Sequence, residues 1–262
     1  MLNNEKKALV TNDARILEPE RILYVDTDCI VVNKRAGEAV EGAAPGIGDL
    51  PRMLNYALKS ISVKPARELA LPVAVHRLDV PASGCVLFAR TQSALAFLNG
   101  TFRTRLSQAG TDVPMVEKHY WAVIEKPAFE IPAEAELVHW IAFDPKKNKT
   151  RAFDEPESEC RTEKPERKQA IMKYRLIGTG THYLFLDIEL ITGRHHQIRC
   201  QLEHIGLHIK GDLKYGARRS EKTGGIRLHA RSLTFPSPLN GTSITVQANP
   251  PVLDALWQEF LK

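Results

Sequence analysis

Apolar residues recur along this chain with two different periods, and the changes of period mark out its elements. Residues 21–25 and 29–33 are short β-branched and aromatic runs separated by Asp26-Thr27-Asp28, a pattern that predicts an antiparallel hairpin with a polar turn. Met53, Leu54, Ala57, Leu58 and Ile61 fall on one face at helical spacing behind Asp49, which predicts a helix over 50–61 with Asp49 as its N-cap. After the turn signal of residues 81–84 comes an apolar run, 86–89. Leu95, Leu98, Phe102 and Leu106 then return to helical spacing.

Residues 120–124 read as a strand. Leu184, Leu186, Ile188 and Leu190 alternate with Asp187 and Glu189 as a half-buried strand should, and Ile198, Leu202 and Ile205 follow as a helix closed by Gly206. Residues 228–235 and 243–248 predict closing strands, and Leu253, Leu256, Trp257 and Phe260 a last helix. Two stretches resist the pattern. Residues 137–143 are poorly periodic, and 144–168 are strongly charged without a sustained period, which fits a loop or hairpins with long arms. Residues 1–20 read as a tail, and 21–262 as one domain without repeats.

At 262 residues, 43% hydrophobic and 26% charged, the chain can bury roughly three quarters of its unfolded surface without disulfide or metal staples. No apolar run reaches the ~20 residues of a membrane span, and no leader pattern opens the chain, so a cytoplasmic protein is expected; the chain is also expected to be a monomer, although no sequence feature reads out its oligomeric state. Cys29, Cys85, Cys160 and Cys200 stand singly, which fits reduced thiols. The net charge of +5 suits a nucleic-acid partner, although a solvated basic surface explains it as well. Neither phosphate-cradling glycine loops nor the H-x-E and H-E-x-x-H zinc signatures occur, so no cofactor and no metal are expected. His204 and His208 have the spacing of helical ligands, but Gly206 breaks the helix between them.

Three segments carry candidate chemistry. In ITGRHHQIRCQL, Thr192 can cap a helix whose first turns hold Arg194, His195, His196 and Arg199, cations at the end that already carries partial positive charge. Such a cluster predicts a phosphate or carboxylate at Arg194; a plain basic face is the alternative. Asp79, in HRLDVPASG, is the internal carboxylate best placed to meet it. Pro81 holds Val80 extended, so Asp79 sits on a stiff connection, although an Asx turn fits the same spacing. His76 and Arg77 beside it are candidate phosphate contacts. In KHYWAVIEK, alternation puts Lys118, Tyr120 and Ala122 on one face, where the Tyr120 ring either stacks on a nucleobase or packs at the core edge. Lys146, Lys147, Lys149 and Arg151, with Arg218, Arg219, Lys222 and Arg227, form basic clusters able to track a phosphate backbone.

In order and spacing these segments resemble the ribosomal large subunit pseudouridine synthase A family. HRLDVPASG is similar to its H-R-L-D-x-x-T-S-G box, KHYWAVIE to its tyrosine strand, and TGRHHQIRCQLEHIGLHIKGDLKYG to its T-G-R-x-H-Q-I-R segment; ILYVDTDCIVVNKRAG and RLHARSLTFPSPL resemble its outer strands. The resemblance implies an α/β (α+β) domain on a bent, mostly antiparallel sheet flanked by helices with a central cleft. It implies RNA uridine isomerisation on ribosomal or transfer RNA, without cofactor. Asp79 would be the catalytic carboxylate, Arg194 its basic partner, Tyr120 the active-site ring and Leu228 an apolar wall, with His76, Arg77, His196 and Arg199 contacting RNA. Ala82, Arg35, Gln201 and His208 depart from the family pattern, which leaves an idle RNA-binding or chaperone protein as the alternative. Residues 1–20 are too short for the S4-like module that many relatives carry.

Overall fold

The computed structural model describes residues 17–42, 49–60, 69–104, 116–156, 166–222 and 224–262. Strands β1 (Ile22–Val25) and β2 (Cys29–Lys34) form the predicted hairpin, turned by Asp26, whose Oδ1 accepts the amides of Asp28 and Cys29. Helix α1 (Leu50–Ser60) follows, with Asp49 accepting the Arg52 amide at 3.0 Å. Then come β3 (Val73–Ala74), β4 (Ser83–Ala89), α2 (Gln92–Thr104) and β5 (Glu117–Glu125). The expected helical positions Ile61 and Leu106 lie outside the described residues, as do the 1–16 part of the expected tail and Cys160.

Beyond β5 the chain runs through β6 (Glu134–Asp144), β7 (Lys149–Phe153), β8 (Lys168–Thr179), β9 (Tyr183–Leu190), α3 (Gln197–His204), β10 (His208–Ile209), β11 (Leu228–Pro236), β12 (Ser243–Gln247) and the one-turn α4 (Ala255–Gln258). Of the charged stretch, residues 149–153 form β7, which pairs antiparallel with β6 as a hairpin with Phe143 opposite Thr150, while 157–165 lie outside the described residues. The weakly periodic residues 137–143 belong to β6, whose apolar residues fall on both faces, with Val138 and Phe143 exposed and Ile141 and Ala142 buried, so no alternation signals it.

All of these strands join one sheet in the order β1-β2-β4-β11-β5-β9-β8-β6-β7, with β3 beside β4, β10 beside β5 and β12 beside β11. Every pairing is antiparallel except β4 with β11. The architecture is α+β. At the parallel joint Gly84 lies opposite Ala230 with φ +116°, and a Cβ there would sit 2.3 Å from the Ala230 carbonyl oxygen, so only glycine fits.

Alternation divides the core. Ile30, Val32, Val86, Phe88, Tyr120, Ala122, Leu186 and Ile188, together with α1 and the Ile198 and Leu202 face of α3, make the main core. On the opposite face Cys29, Val31, Cys85 and Leu87 meet Leu98 of α2, while Trp121 and Val123 meet Trp257. The expected division of β5 into two faces therefore holds. Among the described residues no helix is long and apolar enough to cross a membrane.

Candidate active site

Asp79 lies on the connection from β3 to β4, and that connection is pinned from below. The Lys34 ammonium, fully buried, donates to the carbonyls of Val80 at 3.0 Å and Ala82 at 2.6 Å. Gly37 donates its amide to Val80, Ile226 to Pro81, and Ala82 back to Asp79, so the turn is fixed by its backbone and its side chains are left to point elsewhere. Burial pulls the Lys34 pKa down to about 8, against the pull of Glu38 and Asp79.

The Asp79 carboxylate does not form an Asx turn. Its Oδ2 accepts from Arg199 Nη1 at 3.0 Å, and Arg199 in turn gives Nε and Nη2 to Asp212 at 2.6 and 2.8 Å, a two-pronged grip. Burial alone would weaken the Arg199 cation; the hydrogen bonds and charge of Asp212, then of Asp79, outweigh it and push its pKa up. Both Asp79 contacts use Oδ2, and Oδ1 has no protein partner among the described residues.

The second contact is His196, whose Nε2 lies 3.7 Å from Asp79 Oδ2. Burial and the Arg199 charge pull its pKa down to about 3, so the imidazole is neutral. Its tautomer follows from the next residue. Tyr215 Oη accepts the Thr150 amide at 3.0 Å and directs its own proton to His196 Nδ1 at 2.8 Å, leaving the imidazole proton on Nε2, towards Asp79.

These groups open on a cleft of about 940 Å³ lined also by Tyr120, Leu228, Arg77, Arg194, His195 and Lys214. Tyr120 stands mid-sheet on β5, opposite Ala230 of β11 and Ile188 of β9, and Leu228 begins β11. Both are buried. The cleft thus combines one one-sidedly held carboxylate, an aromatic ring, an apolar wall and a cationic rim.

A scan against family models matches residues 28–204 to RNA pseudouridylate synthase. The chain belongs to the RNA pseudouridylate synthase family. Among curated relatives, tRNA pseudouridine synthase C of Haemophilus ducreyi is 30% identical, over 90% of this chain and 92% of that protein. Ribosomal large subunit pseudouridine synthase C of Vibrio cholerae is 28% identical, over 94% of this chain and 70% of that one. The solved human RNA Pseudouridylate Synthase Domain Containing 4 shares the fold, with a TM-score of 0.69 over 97% of this chain and 94% of its own at 19% identity. The chain is accordingly an isomerase of RNA uridine.

Within this synthase, the structure corrects the arginine. Arg194 is exposed and donates Nε to the Gln169 carbonyl at 3.2 Å; the arginine on Asp79 is Arg199. The reason is where α3 begins. Thr192 does not cap it: the hydroxyl bonds Ile171 and Gln197, and the helix starts at Gln197 behind His196, which turns the chain at φ +51°. Arg194 and His195 therefore precede the helix, while Arg199 lies inside it on the face towards Asp79. As a consequence Arg199 and His196 both lie on the Asp79 carboxylate.

His76 lines the cleft with its ring tied to the sheet backbone. Its Nε2 accepts the Leu87 amide at 3.2 Å, and burial, with Lys118 nearby, pulls its pKa down to about 3. Arg77 is exposed on the rim, as a phosphate contact should be. Of the basic clusters, Lys149 is tied to Glu203, and Arg227 to Glu221 and Asp254. Sequence reasoning missed Lys34, Asp212 and Tyr215 as site residues, although NKRAG and GDLKYG, which contain them, were part of the resemblance.

The departures from the family pattern stay off Asp79. Arg35 pairs with Glu18, Gln201 donates to the Leu137 and Ala170 carbonyls, and His208 Nδ1 faces the Tyr215 carbonyl. Ala82 is buried with its carbonyl on Lys34. Away from the cleft, His139, Asp154 and His204 bring one ligand atom each within 4.8 Å of one another. Gln201 Nε2 also lies 3.1 Å from His139 Nδ1.

Proposed function

We propose that this synthase acts on uridines of ribosomal or transfer RNA, with Asp79 as its catalytic carboxylate, Arg199 as the partner that holds and orients it, and Tyr120 as the ring against the uracil. The observation that carries this reading is the grip on Arg199: Asp212 takes two of its N–H groups, and Asp79 is held through Oδ2 alone, so Oδ1 is available to a substrate. The reaction breaks the bond from ribose C1′ to N1 and forms one from C1′ to C5. A proton leaves C5 and N1 gains one, with no redox change. Asp79 Oδ1 either attacks the ribose or uracil or removes a ribose proton. Tyr120 stacks on the turned base, with Leu228 as its wall, and the uridine reaches them only by leaving the RNA stack.

Arg77 and Arg194 on the rim supply phosphate contacts. The free thiols of Cys29, Cys85 and Cys200 suit a reducing cytoplasm. No observation favours the idle RNA-binding alternative. The test is tritium release from ribosomal and transfer RNA pools labelled at uridine C5. Wild type is expected to release label from at least one pool, and Asp79→Ala to release none while still binding RNA. Full release by the variant would remove Asp79 from the mechanism.

A further inference from the structure

Beyond the carboxylate, the cleft has an aromatic corner that the isomerisation of one uridine leaves unused. His195 stacks on His196, ring centroids 3.8 Å apart and planes 27° apart, and Phe143 of β6 meets His195 at 4.5 Å and 69°. His196 is buried, but His195 is exposed at the cleft and Phe143 is 39% exposed. Two adjoining rings thus face solvent at the mouth of a site whose floor is polar.

The corner is held in place. Thr150 Oγ1 bonds His195 Nδ1 at 3.0 Å, and Lys214 Nζ donates to the Asn148 carbonyl at 2.9 Å, tying the β6–β7 turn to the cleft. That turn presents Lys146 and Lys147, both exposed, their amides taken by Asp144 Oδ1. Burial, together with the nearby Arg77, Arg199 and Lys214 charges, draws the His195 pKa down against the pull of Asp79, so the ring is an uncharged π surface. Exposed rings flanked by lysines are what a single-stranded nucleic acid requires, with stacking for a base and cations for its phosphates. Room is available too: about 940 Å³ lies near the upper end of sites that enclose one small molecule.

We propose that Phe143 and His195 form a stacking site for a second nucleobase of the same RNA strand, a neighbour of the uridine that Asp79 receives, with Lys146 and Lys147 on its phosphates. This rests on the cleft being the RNA site. Stacking tolerates any base, so the corner adds affinity and fixes the strand's path without selecting sequence. Phe143 and His195 are positioning residues: neither touches the reacting atoms.

The test compares two probes of equal length, a short oligouridylate and a backbone-only oligomer of abasic ribose phosphates, against wild type and the Phe143→Ala/His195→Ala double variant. Loss of the corner is expected to weaken oligouridylate about tenfold and leave the abasic oligomer unchanged. Phe143→Tyr, which keeps a ring, is expected to bind like wild type. Equal weakening of both probes, which a merely structural role would give, overturns the proposal, and so does unchanged oligouridylate binding. Tritium release by wild type, measured alongside, separates the two claims. If release fails while the binding difference stands, the substrate assignment falls and the stacking corner survives.

Discussion

Arg199 and Arg227 each sit between two carboxylates, and the two sites differ in what is left over. Arg227 gives Nε to Glu221 and both terminal nitrogens to Asp254, and Glu221 is also held by Lys210. Every partner there is closed off, and the network joins the β10–β11 connection to the α4 cap. Arg199 spends its two-pronged grip on Asp212, which is 1% exposed, and reaches Asp79 with one nitrogen. A carboxylate held by one oxygen is oriented and still has a free atom. The comparison teaches that the pairing of arginine with acids is not itself the mark of a site; the unsatisfied oxygen facing a cleft is.

Removing each arginine sharpens the contrast most. Arg199→Met leaves Asp212 buried without its cation and is expected to cost about 3–5 kcal/mol of stability, read by denaturant titration. Arg199→Lys keeps the charge and loses the fork; turnover per folded molecule is expected to drop about a hundredfold. Arg227→Met also loses stability, because Glu221 is buried, but its turnover per folded molecule should stay within a few-fold of wild type. Equal turnover losses at the two arginines would erase the distinction.

Acid separates the regions next. Burial holds His76 and His196 to about 3 and His229 to about 4, whereas unfolded imidazoles protonate near pH 6.5. Between those values the unfolded chain binds more protons, so stability is full above about pH 6.5 and falls as pH drops, each ring contributing up to about 1.4 kcal/mol per unit. Unfolding midpoints measured from about pH 7 to about pH 4.5 should therefore fall steadily, and His196→Asn should flatten part of the slope. A flat profile in wild type would contradict the buried, neutral state of these rings.

The smallest effect is expected at Arg194. Arg194→Ala should weaken RNA binding a few-fold and lower the salt slope by about one, with the loss in KM and little in kcat. A collapse of kcat would return Arg194 to the carboxylate.

Sequence patterning located α1 by its one apolar face, and the β1–β2 hairpin and the tyrosine strand as short apolar runs bounded by polar residues, with both faces of β2 and β5 buried. Asp79 was legible too, since Pro81 stiffens the connection that carries it. The choice of arginine was not. It depends on a positive φ at His196 and on the Thr192 hydroxyl turning to Ile171 instead of capping α3, neither of which spacing reveals. β6 was hidden by apolar residues on both of its faces, and β8 by a core face built from Ala170, Met172 and Tyr174. Lys34 reads as one more surface lysine until the β3–β4 connection is laid over it.

The parallel joint between β4 and β11 also constrains how the molecule is made. β11 lies between β4 and β5, which precede it by more than a hundred residues, so these two strands cannot share a sheet until residues 228–236 have left the ribosome. Until then each presents an unpaired edge on which another chain could pair. Tyr120 and the Asp79 turn stand on opposite sides of that gap, so a growing chain has both groups long before it has an active site.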